Sequence, residues 1–227
     1  MCRIASGQPG ASRPSREPAA RNPSTKRVAA ATAHQKTRDP SLSDFLDAVA
    51  AAEPTPAGGS VAALAGALAA SLGIMGARLG GSFESAQHLI QMQLRLRQLT
   101  QDDADAYNQL MRAYKIPKHE PHRPQAVLTA LHTATEIPME IAELACEVAR
   151  LIHAGLPSVQ RAVRSDMTVG MIMAIAAAEA GLHTASVNIQ LNQELKISAS
   201  ARFARAIRNL EELKGLCYTP QPFESAH

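Results

Sequence analysis

Aromatic residues make up only 3% of this 227-residue chain, and tryptophan is absent. A basic nucleic-acid-binding domain interleaves cations with aromatics on one surface, and this composition argues against one. The three cysteines, Cys2, Cys146 and Cys217, are far apart and form no CxxC pair. A disulfide framework and a cysteine zinc site are therefore excluded as defaults. There is no HExxH: His119 and His122 sit in a proline-rich loop without a third ligand nearby in sequence, and His88, His132, His153 and His183 are scattered singly, so no metal is expected. GxxxxGK[ST] and GxGxxG are missing, which removes the usual nucleotide signals. No run alternates with period two, no internal repeat occurs, and no charged start leads into an apolar run as a secretory signal would.

Charge is scarce where it first looks abundant. The net charge is +3, from 23 basic and 20 acidic residues. Residues 1–40 hold eight of the basic groups and two of the acids, so the extension is +6 and the remainder −3. The stretch 1–40 reads as a disordered basic extension; its Arg, Ser and Pro content also fits a transit peptide, and its charge would let it dock on a polyanion such as RNA. Residues 41–215 suit one domain, with 216–227 as a flexible tail.

From Ser41 onward apolar residues fall at helical spacing. Ser41 to Asp44 offers N-caps to a helix carrying Phe45, Leu46 and Val49, which should stop at Glu53-Pro54. Next comes Pro54-Thr-Pro-Ala-Gly-Gly-Ser60, then a segment without a single charge from Ser60 to Ala77. Such a run is long enough to raise a membrane-spanning reading. Its large residues Leu64, Leu68, Leu72 and Met75 nevertheless share one stripe and the rest is Ala, Gly and Ser, which suits a helix packed closely inside a bundle or dimer better than one facing lipid. Helical patterns follow over Phe83–Tyr114, in one piece or two, from Gln125 to near Gly155 with a kink at Pro138, and over two final segments, 166–192 and 195–214. The expectation is an all-α bundle of about seven to nine helices around a central Ala/Gly-rich helix.

Three motifs could carry chemistry. Gly58-Gly59-Ser60 opens the core helix and would expose unpaired N–H groups as an anion cradle; a tight turn capped by Ser60 explains it equally simply. In Asp102-Asp-Ala-Asp105, one carboxylate could enter a cleft as general acid/base, or Thr100 could cap a helix whose acids are solvated. Asp166 follows Ser165 near a helix start, where an aspartate is usually a cap. Asn188 and Asn192 share one helix face and could bond a ligand or merely be exposed.

Taken in order, Ser43-Asp-Phe-Leu46, Pro54-Thr-Pro-Ala-Gly-Gly-Ser60 with its Ala/Gly helix, Asp103-Ala-Asp-Ala-Tyr107, Ile116-Pro-Lys118, Ile137-Pro138 and Ser165-Asp166 resemble the cyclodeaminase/cyclohydrolase family of folate enzymes over about residues 41–215. That family comprises the C-terminal half of formiminotransferase-cyclodeaminase and stand-alone methenyltetrahydrofolate cyclohydrolases. The resemblance implies a cytoplasmic all-helical homodimer acting on a tetrahydrofolate derivative, with no metal, no cofactor beyond that substrate, no membrane and no nucleic acid. Residue by residue it places the catalytic aspartate at Asp103, with Tyr107 completing the motif, and assigns Gly58, Gly59, Ser60, Asp166 and Asn188 to the folate pocket. A chain without a formiminotransferase half argues for the cyclohydrolase; family naming argues for the cyclodeaminase. The departures are Ala57 for the first residue of a triple glycine, and Ser82-Phe-Glu-Ser-Ala86 for a family Gly-Lys-Lys-Lys-Tyr, leaving Arg78 as the nearest cation. Only Arg123 stands near a family arginine. The missing lysines also leave room for a non-catalytic helical dimer that binds a folate-like ligand or a partner.

Overall fold

The computed structural model describes residues 41–217. These form six α-helices: α1 (Leu42–Ala50), α2 (Gly58–Leu79), α3 (Phe83–Lys115), α4 (Arg123–Gly155), α5 (Arg161–Gln190) and α6 (Gln193–Cys217), with a 3-10 turn at Leu156–Ser158. There is no strand among the described residues. α1 starts in a capping box, with the Ser41 hydroxyl and backbone N–H on Asp44 and the Asp44 N–H on Ser41 Oγ. It buries none of its residues, and it ends at Ala50 rather than at Glu53.

The helix number falls below the expected seven to nine for two local reasons. Phe83–Lys115 is one helix: the Thr100 hydroxyl donates back to the Leu96 carbonyl at 3.2 Å, so Thr100 is an interior residue and caps nothing. α4 is likewise a single helix that runs through Pro138, where a kink was expected. Its start at Arg123 puts Pro124 in the first turn, where a missing N–H costs nothing. At the other end, α6 continues two residues past the boundary expected at 215. The extension 1–40 and residues 218–227 lie outside the described residues.

α2 is central, packing on α3, α4 and α5. Its buried side is the small one, built from Ala62, Ala63, Gly66, Ala67, Ala70, Gly73, Gly76 and Ala77. Close approach is the reason: a Cβ added at Gly76 would lie 2.2 Å from Met167 Sδ on α5. Larger partners fill the grooves so formed, chiefly Leu89, Leu96 and Leu99 of α3, Ile152 of α4, and Met171 and Ile175 of α5. Each buried side chain of this size contributes about 1.5–3 kcal/mol. α2 and α5 are long and apolar enough to cross a membrane, but 61% and 50% of their apolar windows are buried inside the bundle.

These contacts fix directions. Gly73 faces Leu89 and Ile152, whereas Gly66 faces Leu96 and Ala177, so α3 and α5 both run antiparallel to α2. Arg202 on α6 forks onto Glu143 and reaches Glu136, clamping α6 to α4.

Candidate functional site

The N-terminus of α2 has no side-chain cap of its own, since Ala57 occupies the cap position. Its first-turn amides need a partner from elsewhere in the chain. Asp103, from the middle of α3, supplies one: its carboxylate accepts from the Ser60 hydroxyl at 3.0 Å and from the Ser60 backbone N–H. Ser60, expected as the N-cap, is instead the third helical residue and is 0% exposed. Burial pushes the Asp103 carboxyl above the ordinary aspartate range, and the two bonds from Ser60 oppose that shift only in part.

Gly59 is what lets the carboxylate in. A Cβ there would lie 2.1 Å from Asp103 Oδ1, while one at Gly58 would meet nothing within 4 Å. The first glycine is thus open to a ligand and the second belongs to the carboxylate. On the other side of the turn, a cleft of about 660 Å³ is lined by Val49, Glu53, Pro56, Gly58, Val61 and Ala180. It shares Gly58 with the turn, and Asp103 is not among its walls.

Adjacent acids in the cluster are separated by their partners. Asp102 accepts from Arg95 Nη1 at 2.9 Å and from Gln98, and the same Arg95 forks onto Glu140 of α4 at 2.6 and 2.7 Å. Asp102 is therefore committed to the α3–α4 seam and Asp103 to α2. The sequence reading missed Arg95 and Glu140; Arg95 at two helical turns before Asp102 was the available signal. Asp105 bonds only Gln101 on the exposed face. Tyr107, half-buried, stands one turn beyond Asp103 on α3.

The remaining expected site residues do not join this cluster within one chain. Asp166 is exposed in the second turn of α5, not at a helix start, because α5 begins at Arg161 after Gln160. Its neighbour Met167 packs on Gly76, seventeen residues from Gly59 and so roughly 25 Å along α2. Asn188 donates to the Ala134 carbonyl at 2.6 Å. That carbonyl is four residues before Pro138, so it is the acceptor the proline leaves without an N–H. Asn192 accepts from the N–H groups of Glu194 and Leu195 at the start of α6. Arg123 spends its Nε–H on the Ile116 carbonyl and closes the loop between α3 and α4, whereas Lys118 is exposed.

Fold and site together define an all-helical protein with a buried carboxylate seated at a glycine-opened helix end. The family model described as formiminotransferase-cyclodeaminase matches residues 41–206, and the chain belongs to that family. It is 30% identical over 193 residues to a methenyltetrahydrofolate cyclohydrolase of Methylorubrum extorquens, covering 77% of this chain and 88% of that protein. It is also 30% identical over 194 residues to the chicken (Gallus gallus) formimidoyltransferase-cyclodeaminase, over 76% of this chain but 35% of that longer protein. The crystal structure of a formiminotetrahydrofolate cyclodeaminase from Thermotoga maritima shares the fold with a TM-score of 0.71 at 19% identity, covering 80% of this chain and 96% of that one.

Proposed function

We propose that this chain is a folate one-carbon enzyme acting on the carbon–nitrogen bond of methenyl- or formimino-tetrahydrofolate, with Asp103 as general acid/base. The seat of Asp103 carries the reading. A carboxyl raised by burial is a stronger base when ionised, and it lies beside an open helix end at Gly58 suited to polar ligand atoms. One relative 30% identical to this chain is named a methenyltetrahydrofolate cyclohydrolase, the reaction in which water is the nucleophile.

In that reaction water attacks the amidinium carbon while Asp103 takes one of its protons. The protonated carboxyl then delivers that proton to N5 as the carbon–N5 bond breaks. The second water proton leaves to solvent as the formyl carbonyl forms on N10, so the step is balanced without a metal or second cofactor. When ionised, the carboxylate would also offset the positive charge of an amidinium bound beside it. Gly58 opens onto the cleft, Gly59 and Ser60 lie buried behind it against Asp103, and Tyr107 stands one turn further along α3.

One observation favours the non-catalytic alternative: Asp103 also caps α2, a structural duty sufficient to explain its presence. Following loss of methenyltetrahydrofolate absorbance separates the two. The wild type accelerates the loss over buffer and Asp103→Asn, which can still accept from Ser60, does not; no acceleration by the wild type, together with no turnover of formimino-tetrahydrofolate, would sink the enzyme reading. The apolar outer face of α2 supports the homodimer.

A further inference from the structure

Apart from Ile74, the large residues of α2 do not belong to its buried side. Val61, Leu64, Leu68, Leu72, Met75 and Leu79 form a stripe along the outside, with Leu68 47% and Leu79 64% exposed. α5, its antiparallel neighbour, carries Val169, Ile172, Ala176, Ala180, His183 and Val187 at the same steps of three, four, four, three and four, all six of them exposed. Together they form a two-helix apolar face, flanked at its Gly58 end by Val49, Glu53 and Pro56 and otherwise open among the described residues.

The ends of this face differ in charge. At the end holding the Gly58 turn stand Asp44, Asp47 and Glu53 on or just after α1, and residues 41–77 contain no Lys or Arg. The opposite end has Arg78, Arg161 and Arg164 against Glu84 and Asp166, all exposed. Two copies meeting with their helices in the same sense of level would oppose acid to acid and arginine to arginine. Turning one copy end for end opposes unlike ends and sets α2 antiparallel on its own copy.

Ser60 and Arg78 are eighteen residues apart, about five full helical turns, and so project in the same direction from α2 while lying roughly 27 Å apart. Arg78 cannot serve the Ser60–Asp103 site of its own chain. We propose that two copies pair antiparallel through this face and that the partner's Arg78 completes each site, supplying the cation for the anionic carboxylate tail of the substrate. The stripe is centred on residue 70, so Val61 opposes Leu79 of the partner subunit, and Arg78 of the partner subunit comes within one turn of Ser60. The same turn carries Asp166 of the partner subunit to the Gly58 end. Arg78 makes no side-chain bond to another described residue, which leaves it free for this role. The identity of the ligand rests on the folate reading; the geometry does not.

Two experiments keep these apart. In a background with Cys2 and Cys217 replaced by serine, the double variant Val61→Cys/Leu79→Cys gives a covalent dimer on oxidation, and neither single variant does. A monomer in solution, or a dimer that fails to cross-link, overturns the pairing whether or not the protein turns over folate. In the second, Arg78→Ala raises KM for a substrate bearing the glutamate tail by about tenfold with kcat kept, and Arg78→Lys restores most of it. Mixed dimers made by refolding Asp103→Asn with Arg78→Ala carry one intact site, so at low substrate an equal mixture recovers about a quarter of wild-type activity. A mixture near a twentieth, the value for an arginine acting within its own chain, overturns the shared site.

Discussion

Two glycines side by side carry different burdens, and that difference is testable one residue at a time. Gly59→Ala drives a methyl group into the Asp103 carboxylate, whereas Gly58→Ala meets open space. The first should cost about 1–3 kcal/mol and most of the turnover, the second no stability, so that any loss of turnover in Gly58→Ala comes from the ligand side of the turn, as read from thermal melts and the absorbance assay. Asp103 itself trades stability for function. Its folded-state pKa is raised, so the native state holds its proton at pH values where the unfolded chain has released it, and stability falls as pH rises through that window. Asp103→Asn removes the penalty: its melting temperature should exceed the wild type's near neutrality, with the gain vanishing below the ordinary aspartate range, while turnover drops on the order of 10²–10⁴-fold. The rising limb of the wild-type rate against pH should correspondingly lie above that range. The sequence alone could not separate Asp102 from Asp103. Helical spacing puts them 100° apart, but only the arginine on one side and the bare helix end on the other decide which is paired with charge and which is left to desolvation.

Periodicity made every long helix except the division of α3 legible, because charged and apolar positions alternate every three to four residues along them. Errors arose where a local signal met a distant partner. Thr100 looks like a cap only if the helix is cut there. Asn188 looks like a ligand-binding group only if the carbonyl orphaned by Pro138, fifty residues earlier, is overlooked. This pairing stitches α5 to α4 and predicts a coupling. Asn188→Ala should cost about 1–2 kcal/mol by leaving the Ala134 carbonyl unsatisfied. Pro138→Ala restores the N–H that the carbonyl lacks, so in that background the same Asn188→Ala change should cost less than half as much, a difference that a double-mutant cycle in denaturant reads directly. Equal costs in both backgrounds would mean that Asn188 acts through something other than the proline's acceptor.

Across the whole molecule, the uncharged segment from Ser60 to Ala77 has one property for each side. Its small residues let α3, α4 and α5 close around it, and its leucines form the outward face proposed to meet a second copy. A reading of one chain sees a core helix, since the stripe's destination is not in the chain; likewise Asp166 and Arg78 look remote from Asp103 until the face is doubled. Leu68 lies beside the centre of the antiparallel pairing, against Leu72 of the partner subunit, so Leu68→Glu places two charges per dimer into apolar surface. Association should weaken on the order of 10³-fold in affinity, visible by sedimentation at micromolar protein. Helix content should hold, because Leu68 is 47% exposed and lies outside its own subunit's buried core. Turnover should then follow the dimer fraction, recovering as protein concentration rises, since a lone subunit keeps Asp103 and the glycine turn but has no Arg78 within reach of them. A well-folded Leu68→Glu monomer with wild-type kcat/KM would show that the site is complete in one chain.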